Sequence, residues 1–210
     1  MLLLPKLLEH GGLMTWFLLL VSAVALAVFI ERLLHYHRAQ INSAEFLNGV
    51  RTVLKRENVV EALSICEATP GPVPRLVKTA ILNHERGRDG VREALEEAGL
   101  LEVPRLEEKL NVIATIAQLA PLMGLLGTVL GFIRVFKAID SAGINIEKQQ
   151  LAGGVWEALI CTALGLAVAI PCYAGYNYLV SRVNSIVLDM EKASTEILNI
   201  VTGKPPPKAP

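Results

Sequence analysis

Asn111-Val-Ile-Ala-Thr-Ile-Ala-Gln-Leu-Ala-Pro-Leu-Met-Gly-Leu-Leu-Gly-Thr-Val-Leu-Gly-Phe-Ile133 is a run of 23 residues without a charge, flanked by Lys109 and Arg134. A helix needs about 20 such residues to cross the hydrocarbon core of a bilayer. Two further blocks have the same character. Leu13 to Ile30 is 18 uncharged residues, and Ala158 to Ser181 is 24, its apolar stretch beginning already at Leu151. Of the 210 residues, 52% are hydrophobic, enough for a sizeable soluble core. A soluble core, however, spreads its apolar residues over amphipathic elements instead of collecting them into blocks. The pattern predicts an all-α membrane protein whose three transmembrane helices, 13–36, 109–136 and 151–180, are extended by a cytoplasmic helical bundle.

Charge sets the expected orientation. Residues 1–12 carry one Lys or Arg and the link 134–150 three, whereas 31–110 carries twelve and 181–210 four. The positive-inside rule puts the short amino terminus 1–12 and the 137–150 loop in the periplasm, and the 37–108 domain and the carboxyl terminus in the cytoplasm. Arg32 and Arg38 weigh most, because long segments follow charge poorly. The first block is read as a retained helix. A signal peptide places its positive charge ahead of the apolar run, where only Lys6 stands, beside Glu9. Twenty basic residues balance twenty acidic ones, which leaves no basic surface for nucleic acid. Cys66, Cys161 and Cys172 are too scattered for a disulfide framework or a zinc site. The two in the third block read as small apolar filler.

Between the first and second spans the apolar residues recur at helical spacing. Phe46, Val50, Val53 and Leu54 are followed by Val59, Val60, Leu63 and Ile65. Pro70-Gly-Pro-Val-Pro74 breaks the pattern as a turn. Val73, Leu76, Val77, Ile81 and Leu82 then form a stretch ended by Gly87, and Asp89 is placed to cap a helix carrying Val91, Leu95, Ala98 and Leu101. Residues 181–202 read as a last cytoplasmic helix. The tail 203–210 holds four prolines, which forbid a helix and predict disorder.

The second span carries Ala114, Ala117, Pro121, Gly124, Thr128 and Gly131, and the third carries Ala158, Thr162, Gly165, Ala169, Cys172 and Tyr176. Their intervals of three and four put each set on one helical face. Each span thus has a narrow stripe of small residues with one threonine. Such stripes let membrane helices approach closely, and Gly127 with Gly131 makes a GxxxG pair. Close packing therefore explains the glycines without further function, and a threonine can simply return its hydroxyl to the carbonyl one turn back.

Glu157 is harder to explain by packing. It lies one to two turns inside the third span, with no Lys or Arg in the uncharged run beside it. Low dielectric disfavours the charged form of a carboxyl, and a membrane carboxyl that can hold or release a proton is an element of proton relays. The alternative is a residue at the outer interface that reaches water. Glu157 and Thr162 are five residues apart, about 140° around a helix, so they cannot both point at one axis.

The segments Leu119-Ala-Pro-Leu-Met-Gly-Leu-Leu-Gly-Thr128-Val-Leu-Gly131 and Trp156-Glu157-Ala-Leu-Ile-Cys-Thr162-Ala-Leu-Gly-Leu-Ala-Val-Ala-Ile-Pro171, with Tyr176-Asn177 beyond, resemble the two pore-span motifs of the MotA/TolQ/ExbB family, in its ExbB/TolQ branch. The flagellar MotA branch has four spans and a larger cytoplasmic domain, and resembles this chain less. The resemblance implies a proton-conducting subunit of an inner-membrane motor that couples proton-motive force to work at the cell envelope, such as outer-membrane import. It implies a homopentamer around a dimer of an ExbD/TolR-like single-span protein bearing a membrane aspartate, with a TonB/TolA-like envelope-spanning protein as a further partner. Carried onto this chain, Glu157, Thr128 and Thr162 are the ion-pathway residues. Ala114, Ala117, Pro121, Gly124, Gly131, Ala158, Gly165, Ala169, Pro171 and Tyr176 face the lumen or the partner. The implied ion is a proton, with sodium as the alternative, and no cofactor is called for.

Two rival readings remain. A non-conducting scaffold that packs a single-span partner helix needs only the small stripes. An enzyme finds no support in the sequence, which offers no nucleophile–base pair, phosphate loop or metal cluster. His10, His35, His37 and His84 all lie outside the expected spans.

Overall fold

A computed structural model describes residues 13–142 and 148–203. Its long helices are α1 (Leu13–Ala39), α6 (Leu110–Ala142) and α7 (Lys148–Val201). Between α1 and α6 lie α2 (Ser43–Leu54), α3 (Val59–Ala68), α4 (Pro72–Leu82), a 3₁₀ turn (His84–Arg86) and α5 (Gly87–Glu107). The expected periplasmic amino terminus and most of the tail fall outside the described residues, as do residues 143–147 of the expected loop. Contacts divide the chain into two units. One takes residues up to Glu31 and Lys109–Tyr178; the other takes Arg32–Glu108 and the chain from Leu179 onward.

The first unit is made of apolar helix. Among the described residues, three helices are long and apolar enough to cross a membrane. Trp16, Leu20, Leu122, Leu125, Ile133 and Trp156 stand exposed on them, a surface that water penalises and lipid accepts. What these helices bury mixes small side chains with larger aliphatic ones such as Leu18, Ile113 and Ile160. Ala120 and Ala169 pack with Leu18, and Met123, Leu164 and Val168 fill the edges. Gly175 leaves room for the Phe29 ring, which would stand 3.0 Å from a methyl group added there. Pro121 and Pro171 lie inside α6 and α7. Each removes one backbone donor from its ladder, which a membrane helix tolerates when neighbours cover the freed carbonyl.

The second unit is a bundle of short helices with local start signals. Asn42 and Asn58 cap α2 and α3, accepting from the backbone N–H of Glu45 and Glu61, whose carboxylates bond back to the asparagine amides at 3.3 and 2.8 Å. The first bond of each pair is an asparagine N-cap, and in the second the glutamate accepts from the cap's side-chain amide, not from its backbone N–H as in a capping box. Gly71 precedes α4 at φ 128°, a conformation open to glycine, and a methyl there would meet the Ala39 carbonyl at 3.0 Å. The expected proline turn is therefore narrow, since Pro72 and Pro74 already belong to α4, whose first turn has no need of their missing N–H groups. Asp89 sits in the first turn of α5 instead of capping it, because the helix starts at Gly87, directly after the 3₁₀ turn.

The core of this unit includes Leu47, Val50, Ala62, Cys66, Leu76, Val77, Ile81, Val91, Leu95, Val183, Ile186 and Ile197. Burial pushes the Cys66 thiol up to about 11. The Tyr36 hydroxyl donates to the Leu106 carbonyl at 2.5 Å, and Arg32 pairs with Glu108 at 3.2 Å. The buried Glu102 carboxylate accepts from Arg75 on α4 and from Arg105 one turn along α5, each at 2.7 Å.

Candidate functional site between the second and third spans

Helices α6 and α7 approach closely because glycines leave their backbones bare. A methyl on Gly165 would stand 2.6 Å from the Ala120 carbonyl oxygen and 2.9 Å from the Gly124 Cα. One on Gly131 would meet the Ala158 methyl at 2.8 Å, and one on Gly127 would meet the Cys161 Cβ at 2.6 Å. The two stripes singled out in the sequence thus face each other within one chain, in the small-residue packing that lets membrane helices touch. Gly124, Gly131, Ala158, Gly165, Ala117 and Ala169 are buried. Ala114, Pro121 and Tyr176 are half-buried, and Pro171 is exposed.

The close approach brings the threonines together. Thr128 Oγ1 on α6 is hydrogen-bonded to Thr162 Oγ1 on α7. It also lies 3.2 Å from the carbonyl oxygens of Gly124 and Ala158, while Thr162 Oγ1 lies 3.2 Å from the Gly124 carbonyl. Two hydroxyl protons are therefore shared among four oxygens. Each hydroxyl can rotate its proton from a carbonyl to the other hydroxyl, so the cluster can pass a hydrogen bond along without moving a backbone atom.

Glu157 is the residue before Ala158, and its carboxylate turns toward α6, where Arg134 Nη1 donates to Oε1 at 2.7 Å. The Glu157 side chain keeps 24% of its exposure and that of Arg134 58%. Within the run of α7 the sequence shows no base beside Glu157; the structure supplies one from the neighbouring helix. Glu157, Thr128 and Thr162 all lie along one seam, with the ion pair at the end where both uncharged runs meet their first charge.

Sequence reasoning missed three members of this neighbourhood. Arg134 was legible only as the boundary of a span. Thr15 on α1, 1% exposed, sets its hydroxyl 3.5 Å from the Cys161 sulfur. Cys161 fills the notch over Gly127, so the thiol read as small apolar filler has a definite packing place. The available signals were a hydroxyl among the first residues of the first apolar block, and a base and an acid bounding two runs of similar length.

The model of the MotA/TolQ/ExbB proton channel family matches residues 69–192, from the end of α3 through α6 and most of α7. The chain belongs to this family. A putative biopolymer transport protein ExbB homolog from Methanothermobacter thermautotrophicus is 30% identical over 187 residues, 87% of this chain and 65% of its own length. The chain therefore spans just under two thirds of that relative. A putative ExbB-like biopolymer transport protein from Synechocystis is 35% identical over 183 residues, 84% of this chain and 72% of its own length. Among solved structures, C. jejuni MotAB matches with a TM-score of 0.63 at 18% identity, covering 94% of this chain and 81% of that one. This likeness establishes the all-helical fold. The family is described as one of proton channels, not of enzymes.

Proposed function

We propose that this chain is the ion-conducting subunit of an energy-transducing motor in the bacterial inner membrane. Several copies, five by the family's habit, surround a dimer of an ExbD/TolR-like single-span protein that carries a membrane aspartate. A proton, or sodium in its place, moves between that aspartate and the Glu157, Thr128 and Thr162 of the surrounding copies. The flow drives work at the envelope, such as outer-membrane import through a TonB/TolA-like protein. The amino terminus then lies in the periplasm and the carboxyl terminus in the cytoplasm.

The observation that carries this reading is the polar seam itself. Two hydroxyls share two carbonyls at 3.2 Å inside an apolar helix pair, and an acid stands one residue from one of those carbonyls. The hydroxyls alone could serve helix packing, but the acid beside them is an ionisable residue inside a membrane, and such residues mark ion routes. Of the stripe residues, Ala114, Pro121, Pro171 and Tyr176 keep surface in the single chain, and these are the ones we assign to the lumen or the partner helix. Ala117, Gly124, Gly131, Ala158, Gly165 and Ala169 serve it from behind, by bringing α6 and α7 together. That packing also favours a second reading, a non-conducting scaffold for a single-span partner, in which Glu157 is replaceable.

Proton flux into liposomes holding the chain with its genomic single-span partner, under an imposed pH gradient, separates the two. Glutamine at 157 keeps size and hydrogen bonding but cannot titrate. Collapse of flux in Glu157→Gln with assembly intact supports the channel; unchanged flux leaves the scaffold.

A further inference from the structure

We infer that Arg134 is the gate of the Glu157 site: a tethered cation that holds the carboxylate as its counter-ion until a transported cation displaces it. The inference rests on the reading of Glu157 as part of the ion path, and extends it to a residue which that reading does not use.

Four observations converge. The guanidinium and the carboxylate are in direct contact, Nη1 to Oε1 at 2.7 Å, from different helices. Arg134 is the first charge after the uncharged run of α6, and Glu157 the last before that of α7, so the pair closes one end of the seam. The threonine cluster lies directly inside it. Thr128 is six residues from Arg134, about 9 Å of helix rise, and Thr162 is five from Glu157, about 7.5 Å. Finally, the arginine side chain is 58% exposed against 24% for the glutamate. The acid is held in the seam while the base has room to leave it.

These features describe a displaceable lock. A carboxylate at the edge of low dielectric keeps its charge most cheaply beside a cation. Arginine satisfies it with a planar fork of donors and no proton to give up. A proton or metal cation arriving at Glu157 neutralises the carboxylate directly and removes the reason for the guanidinium to stay. The freed arginine, long and half-exposed, reaches the headgroups or water, as such side chains do at membrane ends. Departure of the ion toward the threonines restores the charge and draws the arginine back. No atom of Arg134 is consumed; it acts by positioning Glu157 and by competing for it.

The test is flux under the same pH gradient in the assembled complex, with complex recovery measured for every variant. Arg134→Gln keeps length and hydrogen bonding but removes the competing charge. It is expected to raise flux roughly fivefold, the scale set by losing one well-formed charge pair. Arg134→Lys retains the charge and is expected to bring the rate back toward that of the unaltered complex, while loss of a merely structural contact would not raise flux in Arg134→Gln in the first place. The double variant Arg134→Gln/Glu157→Gln should conduct no faster than Glu157→Gln alone. If Glu157→Gln abolishes flux but Arg134→Gln is no faster than the unaltered complex, the gate is wrong and the ion path stands. If Arg134→Lys conducts like Arg134→Gln, or the double variant outpaces Glu157→Gln, Arg134 acts elsewhere and the gate falls. If Glu157→Gln conducts normally, both readings fall together.

Discussion

The hydroxyls of Thr128 and Thr162 meet across the contact between α6 and α7, each within 3.2 Å of the Gly124 carbonyl. Neither threonine therefore acts alone. Replacing Thr162 with valine leaves Thr128 the Gly124 and Ala158 carbonyls, and replacing Thr128 leaves Thr162 the Gly124 carbonyl, whereas replacing both strips two carbonyls of their side-chain donors. A double-mutant cycle of Thr128→Val and Thr162→Val, read by thermal unfolding in detergent, should be non-additive. The expected coupling is about 0.6 to 1.7 kcal/mol, the range of hydrogen bonds between membrane helices. Strict additivity would show that the two hydroxyls do not share a network.

The glycine contacts give a sharper stability prediction. A side chain at Gly165 has no space, with the Ala120 carbonyl oxygen 2.6 Å from the first added carbon. Gly165→Val should force the helices apart and cost about 1 to 3 kcal/mol, the usual range for overpacking. Gly153 lies on the same helix with nothing within 4 Å of an added methyl. Gly153→Ala should be neutral or gain up to about 1 kcal/mol of helix propensity. The pair is checked by comparing melting temperatures in one detergent; equal effects at both sites would contradict the packing.

The stripes were readable before the structure because a three-and-four spacing on one helix defines a face, and two such faces of small residues invite each other. What the spacing on each helix leaves open is their relative offset along the seam. That offset brings Arg134 to Glu157 and Thr128 to Thr162, so the ion pair was invisible in a chain where the two charges are 23 residues apart. In the helical bundle the limit was different. Val60 and Leu101 fit helical stripes but are 79% and 62% exposed, while Ala62 and Cys66 do the packing of α3. Apolar residues stand on nearly every side of that ten-residue helix, so its period selects no face.

Glu102 tests how the bundle is tied. Its buried carboxylate accepts from two arginines, Arg75 on α4 and Arg105 on its own helix. Glu102→Ala should destabilise this unit by about 1 to 2 kcal/mol. That lies below the value for a fully buried pair, because both guanidinium groups are more than half exposed to water and screened by it. Hydrogen exchange along α4 and α5 should speed up, with α6 unchanged. Glu102→Gln should recover part of the loss, since an amide oxygen still accepts one of the bonds.

The thiol of Cys66 links this unit to pH. It lies buried in α3, and burial carries its pKa from the ordinary thiol value of 9.0 to about 11. The folded state therefore holds the proton to higher pH than the unfolded one does. Stability from this group is intact below about 9 and is lost as pH climbs from 9 toward 11. Two results follow. At about pH 8 the folded protein should react with a maleimide at Cys66 far more slowly than a free thiol, because only the thiolate attacks. In a Cys161→Ala/Cys172→Ala background, which leaves Cys66 as the sole thiol, denaturant midpoints should fall between pH 9 and 11 more steeply than in the same chain carrying Cys66→Ala. Rapid labelling at pH 8 without denaturant would mean that α3 opens easily, and would remove the burial on which the shift depends.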